Sequence, residues 1–259
     1  MPATAHRNPQ PAAAPRLAQL RISGVDARRF LQGQLSNDME LLAADRMLSA
    51  GLHSPQGRVL ALLQLCAPAA DEIMAVLPED LAVIAATALT RFILRAKVRI
   101  AVEAADSALC ALPGAPATTV SARIRDIGRG LPQVYAASSG QFIAQMLNLD
   151  VLNAIAFDKG CYTGQEVIAR AHYRGRVKRR MQRFATDSAL PLPPGATLRL
   201  GDGSNAQLVD SVMLADGRCE FLAVAPWPPA AEAAAVADDP ARAPLIECHS
   251  LPLPYSLPA

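Results

Sequence analysis

One stretch decides how this chain is interpreted: Lys159-Gly160-Cys161-Tyr162-Thr163-Gly164-Gln165-Glu166. Thr163 and Glu166 have the spacing of a capping box and are followed by apolar residues, so we predict that a helix begins here. Cys161 would then lie just outside a helix N-terminus, where unpaired N–H groups favour negative charge. Lys159 stands two residues away. The sequence therefore predicts a readily ionised thiol at Cys161, with a structural cysteine in a glycine-rich turn as the alternative.

The region around this octet, residues 157–175, resembles the signature of the YgfZ family. Two upstream segments, 24–38 and 141–149, resemble the same family. These are folate-binding proteins related to the T-protein, the aminomethyltransferase of the glycine cleavage system. They are implicated in iron–sulfur cluster assembly or repair and in tRNA modification. The resemblance implies an α+β fold like that of the T-protein, with a small C-terminal β-barrel.

The same resemblance implies a set of site residues. Cys161 and Lys159 are the candidate catalytic residues. The candidate folate-binding residues lie in the two segments that border the family's central cavity: Gln34, Asn37, Asp38, Tyr162, Gln165, Glu166, Arg170 and Arg174. The implied cofactor is tetrahydrofolate or another reduced folate. An amide and a carboxylate at 37 and 38 could hydrogen-bond a pterin edge, and an ordinary polar helix end is the alternative.

Local patterns predict the elements of the first half. Alternating apolar residues predict strands at 17–22, 48–52, 59–65, 72–77 and 97–102, and residues 53–57 have the composition of a hairpin loop. The clearest helix spans 81–92, where apolar residues recur at helical spacing after Pro78, Glu79 and Asp80. Asp26 is predicted to cap a short helix, and residues 141–155 are predicted to be helical in part.

Changes of composition predict the domain organisation. Residues 1–15 are rich in Pro and Ala and read as a disordered tail, and 16–180 form the folate-binding α+β region. That region is predicted to hold two interleaved subdomains, with about 48–115 inserted. Residues 181–259 are predicted to form the barrel-like domain, with strands at 206–213 and 219–224 and a long loop at 228–244.

Composition excludes several classes of protein. A net charge of +2 argues against a protein whose whole surface binds nucleic acid. The five cysteines are scattered and lack the spacing of a zinc or cluster site, so we expect a reducing compartment and assign no metal. Without a secretory signal or an apolar run of about 20 residues, we expect a cytoplasmic protein with no membrane contact, and a monomer.

A basic run leaves three interpretations open. Seven cations and no carboxylate occur between Val167 and Thr186: Arg170, Arg174, Arg176, Lys178, Arg179, Arg180 and Arg183. The run could be a solvated face at a domain junction, or it could pair with the glutamate tail of folate. It could also bind nucleic acid, but with so few aromatic residues that contact would be weak and electrostatic.

These observations predict a folate-binding accessory protein that supports assembly or repair of iron–sulfur enzymes, tRNA-modifying enzymes among them. One alternative is a tetrahydrofolate-dependent aminomethyltransferase. We disfavour it, because an Asp-Asp pair in those relatives corresponds here to Ala61 and Leu62. The other alternative is an RNA-binding accessory protein that acts through the basic run.

Overall fold

The structure is a computed structural model that describes residues 15–175, 177–228 and 243–258. It has an α+β fold with two sheets, as the sequence predicted. The first sheet contains five strands: β1 (Leu17–Ser23), β2 (Leu48–His53), β3 (Val59–Ala69), β4 (Glu72–Pro78) and β5 (Arg99–Ala104). Their order is β2-β3-β4-β1-β5, and every neighbouring pair is antiparallel.

Five α-helices lie among the described residues: α1 (Ala27–Gln32), α2 (Glu79–Thr90), α3 (Ser107–Cys110), α4 (Val120–Gly128) and α5 (Gln165–Tyr173). Single 3-10 turns are formed by Met39–Leu41, Ala136–Ser138 and Ala144–Leu147. The last of these turns packs between α5 and the second sheet. The helix predicted within 141–155 is thus reduced to one 3-10 turn, which ends where Asn148 adopts a left-handed conformation.

The predicted hairpin at residues 48–65 is confirmed. β2 and β3 pair in register from Leu48 opposite Leu65, and a bulge lies between Leu52 and His53. The tip is closed by hydrogen bonds from the Ser54 N–H to the Arg58 carbonyl and from the Gly57 N–H to the Ser54 carbonyl. Gly57 has φ +72°, a conformation that glycine adopts without strain. Local sequence therefore specified this part of the sheet.

The predicted long helix is also confirmed, with shifted ends. α2 begins after Pro78, which is the N-cap residue, and carries Glu79 and Asp80 in its first turn. It ends at Thr90, so Phe92 lies outside the helix and is exposed. The buried face packs on β1 and β5. Ile84 was predicted on that face but is largely exposed, because the sheet covers only part of the apolar stripe.

The second sheet contains six strands: β6 (Arg179–Thr186), β7 (Thr197–Leu200), β8 (Asn205–Met213), β9 (Cys219–Pro226), β10 (Leu245–Ile246) and β11 (His249–Leu251). Their order is β10-β7-β8-β9-β6-β11. The two edge strands, β10 and β11, are separated in sequence only by Glu247 and Cys248. Since three Cα–Cα steps span at most about 11 Å, the opposite edges of the sheet must lie close together. The sheet is therefore strongly curled, in the manner of a partly formed barrel.

The second sheet contributes side chains to two cores. On β9, Phe221 and Ala223 face a small core inside the curl, whereas Leu222 and Val224 join the main core that the first sheet also lines. On β8 the alternation changes after Leu208, where the pairing register with β9 shifts. A bulge of this kind moves the following residues to the other face.

The predicted cap of α1 differs from the structure, and the predicted tail and long loop lie largely outside the described residues. The carboxylate of Asp26 precedes α1 but accepts the N–H of Lys97 at 2.8 Å, and within the described residues no side-chain bond caps this helix. The predicted tail falls almost entirely in residues 1–14 and the predicted long loop largely in 229–242, both outside the described residues. The division into domains stays a prediction.

Candidate functional site

The octet lies against the segment that follows α1, and Lys159 makes this contact. Its ammonium donates hydrogen bonds to the carbonyls of Gln32, Leu35 and Asn37 at 2.8, 2.7 and 2.7 Å. An ammonium has three donors, and all three are used here. Lys159 therefore holds the turn at 32–37 in place against the octet.

The electrostatic setting of Lys159 leaves it charged at neutral pH. Partial burial lowers its pKa from 10.5 to about 8, and the nearby Asp38 carboxylate opposes this shift. The ammonium also lies 5.2 Å from the centre of the Tyr162 ring. The contacts of Lys159 favour a positioning role, while its predicted catalytic role stays untested.

The structure corrects the predicted start of the helix. α5 begins at Gln165, and the N-cap residue is Gly164 with φ +84°, not Thr163. No side chain among the described residues caps this end; the Thr163 hydroxyl lies 3.4 Å from the Gln34 carboxamide oxygen instead. A Cβ on Gly164 would lie 2.6 Å from the Ser54 carbonyl oxygen. The tip of the β2–β3 hairpin thus approaches so closely that this position requires glycine.

Of the five cysteines, all of which the structure describes, Cys161 alone is exposed. Cys66 and Cys219 are buried, and Cys110 and Cys248 are half-buried. Because the helix starts one residue later than predicted, Cys161 lies farther from the unpaired N–H groups of α5 than the capping box implied. Its exposure, rather than the helix end, is what makes this thiol accessible.

The candidate residues on the turn after α1 are largely engaged with the protein itself. The Asn37 amide donates to the carbonyls of Ser49 and Asn153, both at 2.8 Å, and its oxygen accepts the Asp38 N–H at 2.9 Å. Asp38 accepts from the Gln32 amide at 3.0 Å and from the Glu40 N–H at 3.1 Å. These bonds fix the turn that Lys159 also holds.

The candidate residues on the octet and α5 point in several directions. Tyr162 is buried, which raises its pKa to about 12. The Gln165 carboxamide oxygen accepts the Tyr162 N–H at 3.3 Å. Glu166, Arg170 and Arg174 are exposed on α5. Gln34 thus adjoins Thr163 of the octet, whereas Arg170 lies on α5 and Arg174 is the residue at its C-terminal cap.

The basic run is not one continuous surface. Arg180 is buried and forms a bidentate ion pair with Asp150 at 2.9 and 3.0 Å. Arg179 is buried and donates to the carbonyls of Asn205 and Val224, and Arg183 pairs with Glu220 at 2.7 Å. Arg176 lies outside the described residues. Three cations of the run are therefore structural, which weakens its interpretation as a nucleic-acid surface.

Sequence reasoning missed His53, at the end of β2. Its side chain is only 2% exposed, and neither ring nitrogen has a hydrogen-bond partner within the described parts of the chain. Burial lowers its pKa from 6.5 to about 4, so the imidazole is neutral at pH 7. The ring lies 6.3 Å from that of Tyr162, between the hairpin and the octet. Only its place in the hairpin loop, just after an apolar strand, hinted at burial.

A second group of polar side chains, also missed, meets where α4 approaches β8. Arg123 of α4 forms a buried ion pair with Asp210 of β8, and the Tyr135 hydroxyl donates to the same carboxylate at 3.2 Å. The Arg123 side chain is 8% exposed, yet its Nε has no partner among residues that the structure describes. A buried donor of this kind is costly unless something accepts it.

These residues line a small cavity of about 50 Å³, hereafter the polar cavity. Its other polar walls are Gln64 of β3, Asp126 of α4 and Gln133. Burial raises the pKa of Asp126, against the pull of Arg125 and Arg129. A larger cavity of about 380 Å³ shares Pro15, Arg123 and Tyr135 with it. That volume falls within the range of small-molecule sites.

The arrangement of the chain matches that of a solved enzyme. The chain has the aminomethyltransferase fold. Its structure aligns with the crystal structure of glycine cleavage system aminomethyltransferase T from Bartonella henselae, with a TM-score of 0.61. The alignment covers 83% of this chain and 77% of that one, at 13% sequence identity. No family model matches the sequence. At this identity the similarity shows the fold and leaves the activity open.

No group of His, Cys, Asp and Glu in the described residues could hold a metal ion. Among those same residues, no helix has the length and apolar character needed to cross a membrane.

Proposed function

We propose that this chain is a folate-binding accessory protein of the YgfZ type, which supports assembly or repair of iron–sulfur enzymes, tRNA-modifying enzymes among them. The observation that carries the folate part is the polar cavity, where a buried arginine Nε and a buried carboxylate face a space beside a larger cavity. The aminomethyltransferase fold supports the same proposal. The proposal also includes a barrel-like second domain and a cytoplasmic location.

The polar groups of the polar cavity suit one edge of a pterin, while the ring itself would lie in the larger cavity, because about 50 Å³ is too small for a bicyclic ring. The ring presents adjacent N–H donors beside a carbonyl and a ring nitrogen, so it needs an acceptor and a donor side by side. The Asp126 carboxylate can accept two N–H groups, and the Arg123 Nε–H can donate to the pterin oxygen. Gln64 can do either. The larger cavity, which Arg123 and Tyr135 also line, would then take the ring, and the aminobenzoyl and glutamate part would extend from it towards solvent.

The residues predicted from the octet keep their place in the proposal. Gln34, Asn37, Asp38, Tyr162, Gln165 and Glu166 remain candidates for folate contact at the octet and the turn after α1, and Arg170 and Arg174 remain candidates for a polyglutamate tail. In this arrangement Lys159 positions the octet, and Cys161 is the exposed thiol that acts on a client enzyme.

Thermal unfolding with tetrahydrofolate tests folate binding. A ligand that binds only the folded state raises its stability, by about 2.7 kcal/mol at a concentration 100-fold above Kd. We expect the melting temperature to rise, and Asp126→Asn to abolish the rise without unfolding the protein. Asp45→Asn, at an exposed position, is the matched control. An unchanged melting temperature at millimolar tetrahydrofolate would count against folate binding.

Complementation tests the cellular part. In cells that lack the native protein, we expect Cys161→Ala to fail to restore iron–sulfur enzyme activity, whereas Cys110→Ala should restore it. Both variants should fold, because neither thiol is fully buried. Full restoration by Cys161→Ala would remove the thiol from the mechanism.

A further inference from the structure

A surface at the C-terminal end of α2 combines exposed apolar and cationic side chains. Leu94 is 91% exposed, Val25 75% and Phe92 45%. Arg29, Arg95 and Lys97 are exposed around them. We call these six residues the basic–apolar surface. Single exposed apolar residues are common, but a cluster ringed by polar groups marks an interaction site.

Several contacts join the two segments that carry the six residues, and Leu94 and Phe92 directly precede the second of these segments in sequence. A Cβ on Gly24, next to Val25, would lie 2.0 Å from the Lys97 carbonyl oxygen. The Asp26 carboxylate accepts the Lys97 N–H, so its charge is partly engaged by the backbone. Strand pairing places Ser23 opposite Arg99. The segments 23–29 and 95–99 are therefore packed side by side.

Leu94 stands at the tip of a turn. The Ala96 N–H donates to the Ile93 carbonyl at 2.7 Å, and Leu94 has φ +42°. That conformation is unfavourable for a leucine and would suit glycine. Local stability therefore gives no reason for an apolar side chain at this exposed position.

The surface also has a cavity with net positive charge, because two arginines line it together with a single carboxylate, that of Asp26. A cavity of about 380 Å³ is lined by Asp26, Arg29, Phe30, Gly33, Gln34, Arg95 and Ala96. Arg29 and Arg95 thus reach one space from two segments. Neither these arginines nor Lys97 forms an ion pair with any carboxylate that the structure describes. Two arginines at one cavity match the geometry of a phosphate group.

We propose that the basic–apolar surface docks on an anionic phospholipid bilayer. The phosphate of a headgroup occupies the cavity between Arg29 and Arg95, while Leu94, Val25 and Phe92 enter the boundary between headgroups and acyl chains. Peripheral proteins bind membranes through this combination of buried apolar area and attraction to anionic lipid. The proposal needs no membrane-spanning segment, and it revises the sequence-based expectation of no membrane contact.

The composition of the surface favours lipid over nucleic acid. Two of its three apolar side chains, Val25 and Leu94, are aliphatic and cannot stack on bases as aromatic rings do. Aliphatic side chains at an exposed turn gain free energy by leaving water for hydrocarbon. Arginine and lysine can bind the phosphates of lipid and of nucleic acid equally well. The apolar residues therefore distinguish the two ligands.

Co-sedimentation of the full chain with vesicles tests the proposal. We expect binding to vesicles of equal parts phosphatidylcholine and phosphatidylglycerol, weak binding to phosphatidylcholine alone, and release at about 500 mM salt. The double variant Arg29→Glu/Arg95→Glu should lower the partition coefficient at least about tenfold, and Leu94→Asp about tenfold. Arg46→Glu and Leu245→Asp make matching changes at exposed positions elsewhere and should bind like the unchanged protein.

A further variant separates binding from folding. Leu94→Gly removes the side chain and suits the turn, so its melting temperature should stay level or rise while vesicle binding falls. Failure to bind the anionic vesicles, or an equal loss of binding in Arg46→Glu, overturns the proposal. Tighter binding to an oligouridine than to vesicles, lost in the double variant, would assign the surface to nucleic acid and overturn it too.

Discussion

His53 should make the stability of the protein depend on pH. Its pKa is 6.5 in an ordinary setting and about 4 here, where burial disfavours the charged form. Between these values the unfolded chain holds the proton and the folded chain does not, so acid favours unfolding. We expect the free energy of unfolding to fall by about 3 kcal/mol as the pH falls from about 6.5 to about 4.

Urea unfolding at a series of pH values measures this contribution. His53→Leu should flatten the curve in that window, because the titrating group is gone and no ring nitrogen is left unpaired. His249→Gln, at an exposed position, is the control and should leave the slope unchanged. A slope that is the same in His53→Leu and the unchanged protein would show that other groups cause it.

The five cysteines should react with alkylating reagents at very different rates. Cys161 is exposed, whereas burial raises the pKa of the Cys66 and Cys219 thiols and shields them from reagent. Since the thiolate is the reactive form, we expect Cys161 to be modified first at pH 7. Mass spectrometry of peptides after brief alkylation measures each rate. Equal rates at Cys161 and Cys66 would contradict the exposed position of the octet.

Two glycines of the octet allow a matched test of how α5 begins. Gly164→Ala would force an alanine into φ +84° and place its Cβ 2.6 Å from the Ser54 carbonyl oxygen. We expect it to destabilise the protein by about 1–3 kcal/mol. Gly160→Ala is the control, because no described atom outside its neighbours lies within 4 Å of the added Cβ. Thermal unfolding of both variants measures the difference. Equal melting temperatures would mean that the hairpin tip does not restrict the side chain at position 164.

The ion pair between α4 and β8 connects elements from the two halves of the chain. Asp210→Ala leaves the Arg123 guanidinium buried without its carboxylate, so we expect a loss of about 3–5 kcal/mol in the free energy of unfolding. The double variant Arg123→Met/Asp210→Leu should recover most of this loss, because an apolar pair needs no hydrogen bonds. Asp216→Ala breaks the exposed pair with Arg218 and should change the free energy of unfolding far less, because solvent screens this pair. Denaturant unfolding checks all three, and a double variant as unstable as Asp210→Ala would refute the argument.

As a whole, the molecule should not catalyse aminomethyl transfer despite its fold. The resemblance seen in the sequence would place the transferases' Asp-Asp pair at Ala61 and Leu62 of β3, and both are buried apolar residues. No acid or base is then available there to exchange a proton with the transferred amine. An assay with an aminomethylated carrier protein and tetrahydrofolate should give no ammonia above the rate without protein. Ammonia release that depends on the protein would restore the transferase alternative.

The sequence by itself determined the elements whose signals are local. Alternating apolar residues predicted the β2–β3 hairpin, and apolar residues at helical spacing after Pro78 predicted α2. Both patterns involve residues only a few positions apart. The octet predicted Lys159 and Cys161 as candidate catalytic residues. The α+β class was implied by the resemblance to the YgfZ family.

Only the tertiary structure decided the features that join distant segments. Arg123 and Asp210 are 87 positions apart, and they meet because a bulge in β8 changes the face that follows it. Gly164 rather than Thr163 is the N-cap residue of α5, at a position where the close hairpin tip leaves no room for a Cβ. The burial of His53 and the ion pair between Arg180 and Asp150 also depend on contacts between segments that are distant in sequence. The burial of a side chain and the formation of an ion pair depend on which segments pack together, and a periodic pattern over a few residues carries no information about that.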